Sequence, residues 1–178
     1  MLTASELKAL LKTQGLRLDK RRGQHHLIDG RVIERIIESC RLSPADTVVE
    51  IGAGLGALTE FIVEREARLT LIEKDRRLAA FLRLRFPQAC IIEGDALEKL
   101  SSFIPQFSWG QALHPSSFVV IGNLPYSVAS PLIVRLCEAD LRPSRMVFTI
   151  QREVAQRLVA SPRTSDYGLL TLLTQPFY

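Results

Sequence analysis

The chain has 178 residues, the size of one globular domain. Hydrophobic residues make up 47% and charged residues 24%, which excludes a largely disordered or collagen-like chain. The longest apolar runs, such as Phe118 to Ile121, fall far short of the roughly 20 residues that a membrane-spanning helix needs. A net charge of +4 permits a polyanionic partner without demanding one.

Met1 to Leu11 shows no positive leader followed by an apolar core, so no signal peptide and a cytoplasmic location are expected. Thr3 and Glu6 form a capping box ahead of Leu7, Leu10 and Leu11, and Gly15 supplies a stop, predicting a helix over 4–13. A basic stretch with Arg17, Lys20, Arg21 and Arg22 leads into Gly23-Gln24-His25-His26-Leu27. Val32, Ile33, Ile36 and Ile37 then recur at helical spacing over 30–40.

From Thr47 a short apolar run, a turn and an amphipathic helix alternate. Strands are expected near 47–51, 68–73, 90–93, 118–122, 146–150 and 169–174, with helices near 56–65, 75–85, 130–138 and 152–160. Such alternation implies right-handed crossovers, hence an α/β fold: a Rossmann-like, doubly wound, mostly parallel sheet covered on both faces. Residues 1–46 read as an N-terminal helical segment and 47–178 as the core. The stretch 101–117, with Pro105, Trp109, Gly110 and Pro115, reads as one long irregular connection. Cys40, Cys90 and Cys137 are widely spaced in apolar segments and predict buried thiols. His25, His26 and His114 lack metal-ligand spacing, so no metal is expected.

In an open α/β sheet, ligands bind beyond the carboxyl ends of the strands. Four consecutive strand ends carry ligand-competent groups: Glu50-Ile51-Gly52-Ala53-Gly54-Leu55-Gly56, Glu73, Gly94-Asp95 and Asn123-Leu124-Pro125-Tyr126. The glycine loop lets the backbone approach a ligand, and with Ala57 it also fits the dinucleotide fingerprint. Glu73, about 20 residues on, suits ribose hydroxyls in either a dinucleotide or another adenosine ligand. Two groups tip the balance toward S-adenosylmethionine. Glu50 suits a cationic sulfonium and ammonium but would repel a pyrophosphate. Asp95 can accept the adenine amino group, although a helix N-cap is its ordinary role and both can hold together.

Asn123-Leu124-Pro125-Tyr126 carries the strongest chemical signal. An exocyclic aromatic amine is a poor nucleophile because its lone pair is delocalised into the ring. The Asn123 side-chain oxygen and the Leu124 carbonyl can accept its hydrogens, Pro125 fixes the backbone φ, and Tyr126 offers a ring face to an unstacked base. The bland alternative is a proline turn with a core tyrosine.

Assembled, these residues resemble the ribosomal RNA adenine N6-dimethyltransferase family of the KsgA type, from about Asp19 to the last residue. Gly23 to Leu27 is similar to a segment that lies over the cofactor in that family, and Glu50 to Thr59 to its glycine motif. Gln151 to Leu158 and Asp166-Tyr167-Gly168 also resemble it. The resemblance implies S-adenosylmethionine as cofactor, contacted by Gln24, His25, Leu27, Glu50, Gly52, Gly54, Gly56, Glu73, Lys74, Asp95, Ala96 and Asn123. It implies catalysis at Asn123, Leu124, Pro125 and Tyr126, without metal. The implied substrate is a pair of adjacent adenosines in small-subunit ribosomal RNA, each methylated twice, as part of ribosome biogenesis. Arg17, Lys20, Arg21 and Arg22 then lie where they can grip phosphates. Two residues depart from the pattern: His26 stands where phenylalanine is expected, and Ser127 where asparagine is frequent.

Three other readings stay open: a large-subunit adenine methyltransferase of the antibiotic-resistance type, a nicotinamide-dependent oxidoreductase, and a non-catalytic RNA-binding assembly factor. Gly23 and Leu124 favour the small-subunit type over the first, and the second gives Asn123 and Tyr126 no task. A monomer is expected. The resemblance further implies that relatives continue through a final antiparallel strand and a small helical domain. On that basis the chain reads as an amino-terminal portion ending after its sixth strand, with one sheet edge open.

Overall fold

The structure is a computed structural model that describes residues 29–103 and 118–178. The helix expected over 4–13, the basic stretch and Gly23 to Leu27 lie outside the described residues, as does the greater part of 101–117.

Five strands, β1 (Thr47–Ile51), β2 (Arg68–Glu73), β3 (Cys90–Glu93), β4 (Phe118–Asn123) and β5 (Arg145–Thr149), form one parallel sheet in the order β3-β2-β1-β4-β5. Strands covered on both faces need apolar side chains pointing both ways, and Val48, Val49, Val119, Val120 and Ile121 are all fully buried. Val48, Leu71, Val119 and Ile121 meet α1 (Gly30–Cys40), α2 (Ala57–Val63) and α3 (Arg76–Arg85) on one face. Val49, Ile72, Phe118 and Val120 meet α4 (Ala96–Phe103), α5 (Tyr126–Glu138) and α6 (Arg152–Leu158) on the other. The strand order reverses between β1 and β4, as the doubly wound expectation requires.

Polar groups pin the helix ends. Asp29 and Asp75 cap α1 and α3 by accepting the N–H of Arg31 (3.0 Å) and Arg77 (2.9 Å). At the other end of α1, Arg145 of β5 donates to the carbonyls of Cys40 (2.6 Å) and Arg41 (2.7 Å). The same guanidinium reaches the buried Asp46 at 3.1 Å, and that carboxylate also accepts from the Ser43 amide and hydroxyl. One cation thus satisfies the orphan carbonyls of a helix and fixes that helix to the sheet edge.

The expected sixth strand is overturned. Residues Leu169–Thr174 form a helix, α7, and among the described residues β5 is the last strand of the sheet. Leu-Leu-Thr-Leu-Leu-Thr fits either state by composition. The helix places Thr171 and Thr174 on one buried side, where Thr171 donates to the Arg157 carbonyl at 2.5 Å and Thr174 to the Leu170 carbonyl at 2.7 Å. Leu169 and Leu172 face solvent instead. Residues 101–103, expected to begin an irregular connection, instead belong to α4, which runs to Phe103. Helix α5 begins at Tyr126 rather than near 130, with Pro131 inside it. Pro131 is exposed, so water can serve the carbonyl it leaves without an amide partner. Of the cysteines, Cys40 and Cys137 are buried as expected and Cys90 is exposed.

Candidate functional site at the carboxyl ends of β1 to β4

Parallel pairing aligns the strand ends. Ile51 of β1 lies beside Ile72 of β2 and Gly122 of β4, Glu73 pairs with Glu93, and Asn123 pairs with Thr149. Glu50, Gly52, Gly54, Glu73, Asp95 and Asn123 therefore converge on one rim from four adjacent strands.

The glycine loop leaves β1 with positive φ at Gly52 (70°), Gly54 (60°) and Gly56 (83°). Gly52 is exposed, and a Cβ built on it would meet no atom within 4 Å, so the loop backbone faces open space there. Gly56 faces inward: a Cβ there would enter the buried ring of Phe86. Behind the loop, Arg85 donates to the Leu55 carbonyl at 2.8 Å and to Glu60 at 3.1 Å, bracing the turn from α3.

Glu73 anchors the loop from β2. Its two carboxylate oxygens accept the amides of Gly54 and Asp75, each at 2.9 Å. Burial pushes its pKa up against those hydrogen bonds. Each oxygen keeps acceptor capacity beyond the one bond it makes there.

Glu50 lies beneath the loop, 2% exposed, and accepts a hydrogen bond from the Thr59 hydroxyl of α2 at 2.7 Å. Burial raises its pKa to about 7, opposed by the Thr59 bond and reinforced by the neighbouring Glu73 charge. The folded protein then holds a proton on Glu50 that the unfolded chain releases above its ordinary pKa near 4.5. Its contribution to stability is full below that value and is lost as the pH rises to about 7, a change of about 3 kcal/mol. Glu50→Gln is expected to remove this slope from the pH dependence of the urea unfolding free energy. An unaltered slope in the variant would show that Glu50 is ionised throughout.

Asp95 caps α4 by accepting the Leu97 amide at 2.9 Å, and Lys74 donates to its other oxygen at 2.8 Å. The Lys74 bond, then the Leu97 amide, holds its pKa below the usual carboxylate range, so Asp95 remains an acceptor. The cap and the acceptor roles foreseen for Asp95 are compatible in this geometry. Lys74 engages Asp95 at the surface, and Ala96 is buried in the first turn of α4.

Asn123 ends β4 half-buried, and its Oδ1 accepts the Thr149 hydroxyl at 2.6 Å. The Leu124 amide donates to the Thr149 carbonyl at 3.1 Å, and the Leu124 side chain is buried. Pro125, at φ −67° and ψ 153°, caps α5, and its carbonyl accepts from Val128 and Ala129. Tyr126 opens the helix, and its side chain is outside what is described. Gln24, His25, Leu27, Arg17, Lys20, Arg21 and Arg22 likewise lie outside the described residues. Arg85, Phe86 and Thr149 had no signal in the sequence, because each acts through a contact distant along the chain, whereas Thr59 was read only as the end of the glycine motif and not as a partner of Glu50.

The model of the ribosomal RNA adenine dimethylase family matches residues 15–178. The chain belongs to that family. Among similar family members, the ribosomal RNA small subunit methyltransferase A of Prosthecochloris aestuarii is 36% identical over 170 residues, covering 96% of this chain and 62% of that protein. Its counterpart in Aromatoleum aromaticum is 42% identical over 161 residues, covering 89% and 57%. A dimethyladenosine transferase from Plasmodium falciparum superposes with a TM-score of 0.70 at 26% identity, over 85% of this chain and 52% of that one. The 23S rRNA methyltransferase ErmE superposes at 0.61 with 30% identity, over 84% and 55%. This dimethylase-family chain thus spans 52% to 62% of the lengths of these relatives. Among its described residues no cluster of three or more metal-ligating side chains occurs, and no helix is long and apolar enough to cross a membrane.

Proposed function

We propose that the chain binds S-adenosylmethionine across the ends of β1 to β4 and dimethylates N6 of two adjacent adenosines in small-subunit ribosomal RNA, in the cytoplasm, as a step of ribosome biogenesis. The observation that carries this reading is the convergence of Glu50, the open Gly52 backbone, Glu73, Asp95 and Asn123 on one rim in a dimethylase-family chain.

The donor set fits the cofactor. Among the described residues no cationic side chain pairs with the buried Glu50, which suits a ligand that brings positive charge. Ionised Asp95 accepts an adenine amino group, Glu73 accepts ribose hydroxyls, and open space above Gly52 admits the ligand backbone. When bound, the cofactor supplies an electrophilic methyl group on sulfur. Asn123 Oδ1 and the Leu124 carbonyl draw the target amine into position, Pro125 keeps that carbonyl aimed, and Tyr126 stacks on the base. The rate gain comes from proximity and orientation in an in-line displacement. Gln24, His25 and Leu27 cover the cofactor, Lys74 steadies Asp95, and Arg17, Lys20, Arg21 and Arg22 hold phosphates.

Two measurements test this. In calorimetric titration, S-adenosylmethionine binds and NAD does not; the reverse result sinks the assignment. Incubation with unmethylated small and large ribosomal subunits, followed by mass spectrometry, places dimethyladenosine in the small-subunit RNA. Product confined to the large subunit would reassign the substrate.

A further inference from the structure

We propose that Thr149 is a positioning residue for the methyl-transfer site, fixing both Asn123 and Leu124 from the end of β5; this rests on the function proposed above. Asn123 and Thr149 are register partners across β4 and β5. The Thr149 hydroxyl donates to Asn123 Oδ1 at 2.6 Å, and the Thr149 carbonyl accepts the Leu124 amide at 3.1 Å. One residue therefore holds the Asn123 oxygen assigned to the target amine and the peptide unit that leads into the Leu124 carbonyl.

The physical argument concerns rotation. An asparagine at a strand terminus turns freely about its last torsion, which is broad for an amide. A bond from a hydroxyl on a paired strand restrains the amide plane, and with it the direction in which the oxygen faces the incoming amine. The Leu124 amide, bound to a strand carbonyl, fixes the Asn123–Leu124 peptide plane, from which the Leu124 carbonyl follows by one residue's φ and ψ. The β-branched Thr149 is itself stiff at χ1, so its hydroxyl is a fixed post. Asn123 is thereby prepared before RNA arrives, which is the condition for an orientation effect on rate. The neighbouring Phe148 and Ile150, half-buried against the second apolar face, hold β5 in place.

Thr149→Val removes the hydroxyl and preserves shape and the backbone carbonyl; Thr149→Ser restores the hydroxyl. In the 178-residue chain, Thr149→Val is expected to lower kcat about 10- to 100-fold, with KM for RNA and S-adenosylmethionine affinity nearly unchanged and a modest fall in thermal midpoint from the lost hydrogen bond, and Thr149→Ser recovers most of kcat and of the midpoint. Independently of turnover, the Asn123 side-chain amide resonances, assigned by their loss in Asn123→Asp, move toward those of a solvent-exposed asparagine in Thr149→Val and return in Thr149→Ser. Unchanged amide resonances in Thr149→Val, or unchanged kcat, overturn the proposal. A wild-type chain that neither binds S-adenosylmethionine nor methylates RNA refutes the proposed function instead, while the amide resonances still decide whether Thr149 orders Asn123.

Discussion

Asn123→Ala lowers the rate of adenine methylation about 100- to 1,000-fold, the scale seen when one preorganised polar group is removed from a reaction centre. S-adenosylmethionine affinity falls far less, by under about 10-fold, because the glycine loop, Glu73 and Asp95 remain. The target amine has no useful nucleophilicity while its lone pair is shared with the ring, so an acceptor that draws its hydrogens out of the ring plane acts mainly in the transition state. Single-turnover methylation of unmethylated small subunits, with calorimetry of the cofactor, separates the two effects. The substitution also deprives the half-buried Thr149 hydroxyl of its partner, which costs about 1 kcal/mol of stability and should appear as a modest fall in thermal midpoint. A full methylation rate in Asn123→Ala would remove Asn123 from the mechanism.

Gly56→Ala is expected to destabilise the fold by about 2–5 kcal/mol, a large fraction of the roughly 5–15 kcal/mol that holds a domain folded. Two costs combine. Gly56 has φ 83°, where a Cβ carries left-handed strain of about 1–2 kcal/mol. That Cβ would also enter the Phe86 ring, which is 5% exposed and packed against Leu82, and overpacking adds about 1–3 kcal/mol. Gly52→Ala shares a positive φ of 70° but meets no atom within 4 Å, so its loss should be only about 1 kcal/mol. Cofactor affinity should respond in the opposite order, with Gly52→Ala the more damaging per unit of stability lost, because its methyl projects into the space reserved for the ligand. Urea midpoints and calorimetry on both variants check the contrast. Equal destabilisation would mean that Phe86 yields to the added methyl.

Much of the site was legible residue by residue. Glu50, Gly52, Glu73, Asp95 and Asn123 each stand at the end of an apolar run, and a parallel sheet brings such ends together regardless of the helices between them. Asp95 was legible as a helix cap, since that role follows from the residue and its place before Ala96. The failure at 169–174 has an equally physical cause. A run of leucines and threonines is compatible with strand or helix, and in the helix the Thr171 and Thr174 hydroxyls find carbonyl partners. Similarly, the helix expected near 130–138 begins at Tyr126 and carries Pro131 on its exposed side.

Local chemistry was sufficient for the α/β alternation, the glycine turn and the polar strand ends, because periodicity, turn residues and side-chain type are properties of neighbours in the chain. Only the packed molecule decided which strand lies beside which, that 169–174 is a helix rather than a strand, that Thr59 holds Glu50, that Arg85 and Phe86 brace the glycine loop, and that Thr149 holds Asn123. Each of those depends on a hydrogen bond or a close approach between residues far apart in sequence, set by strand register and by the direction of a side chain, and neither quantity exists until the chain has closed on itself.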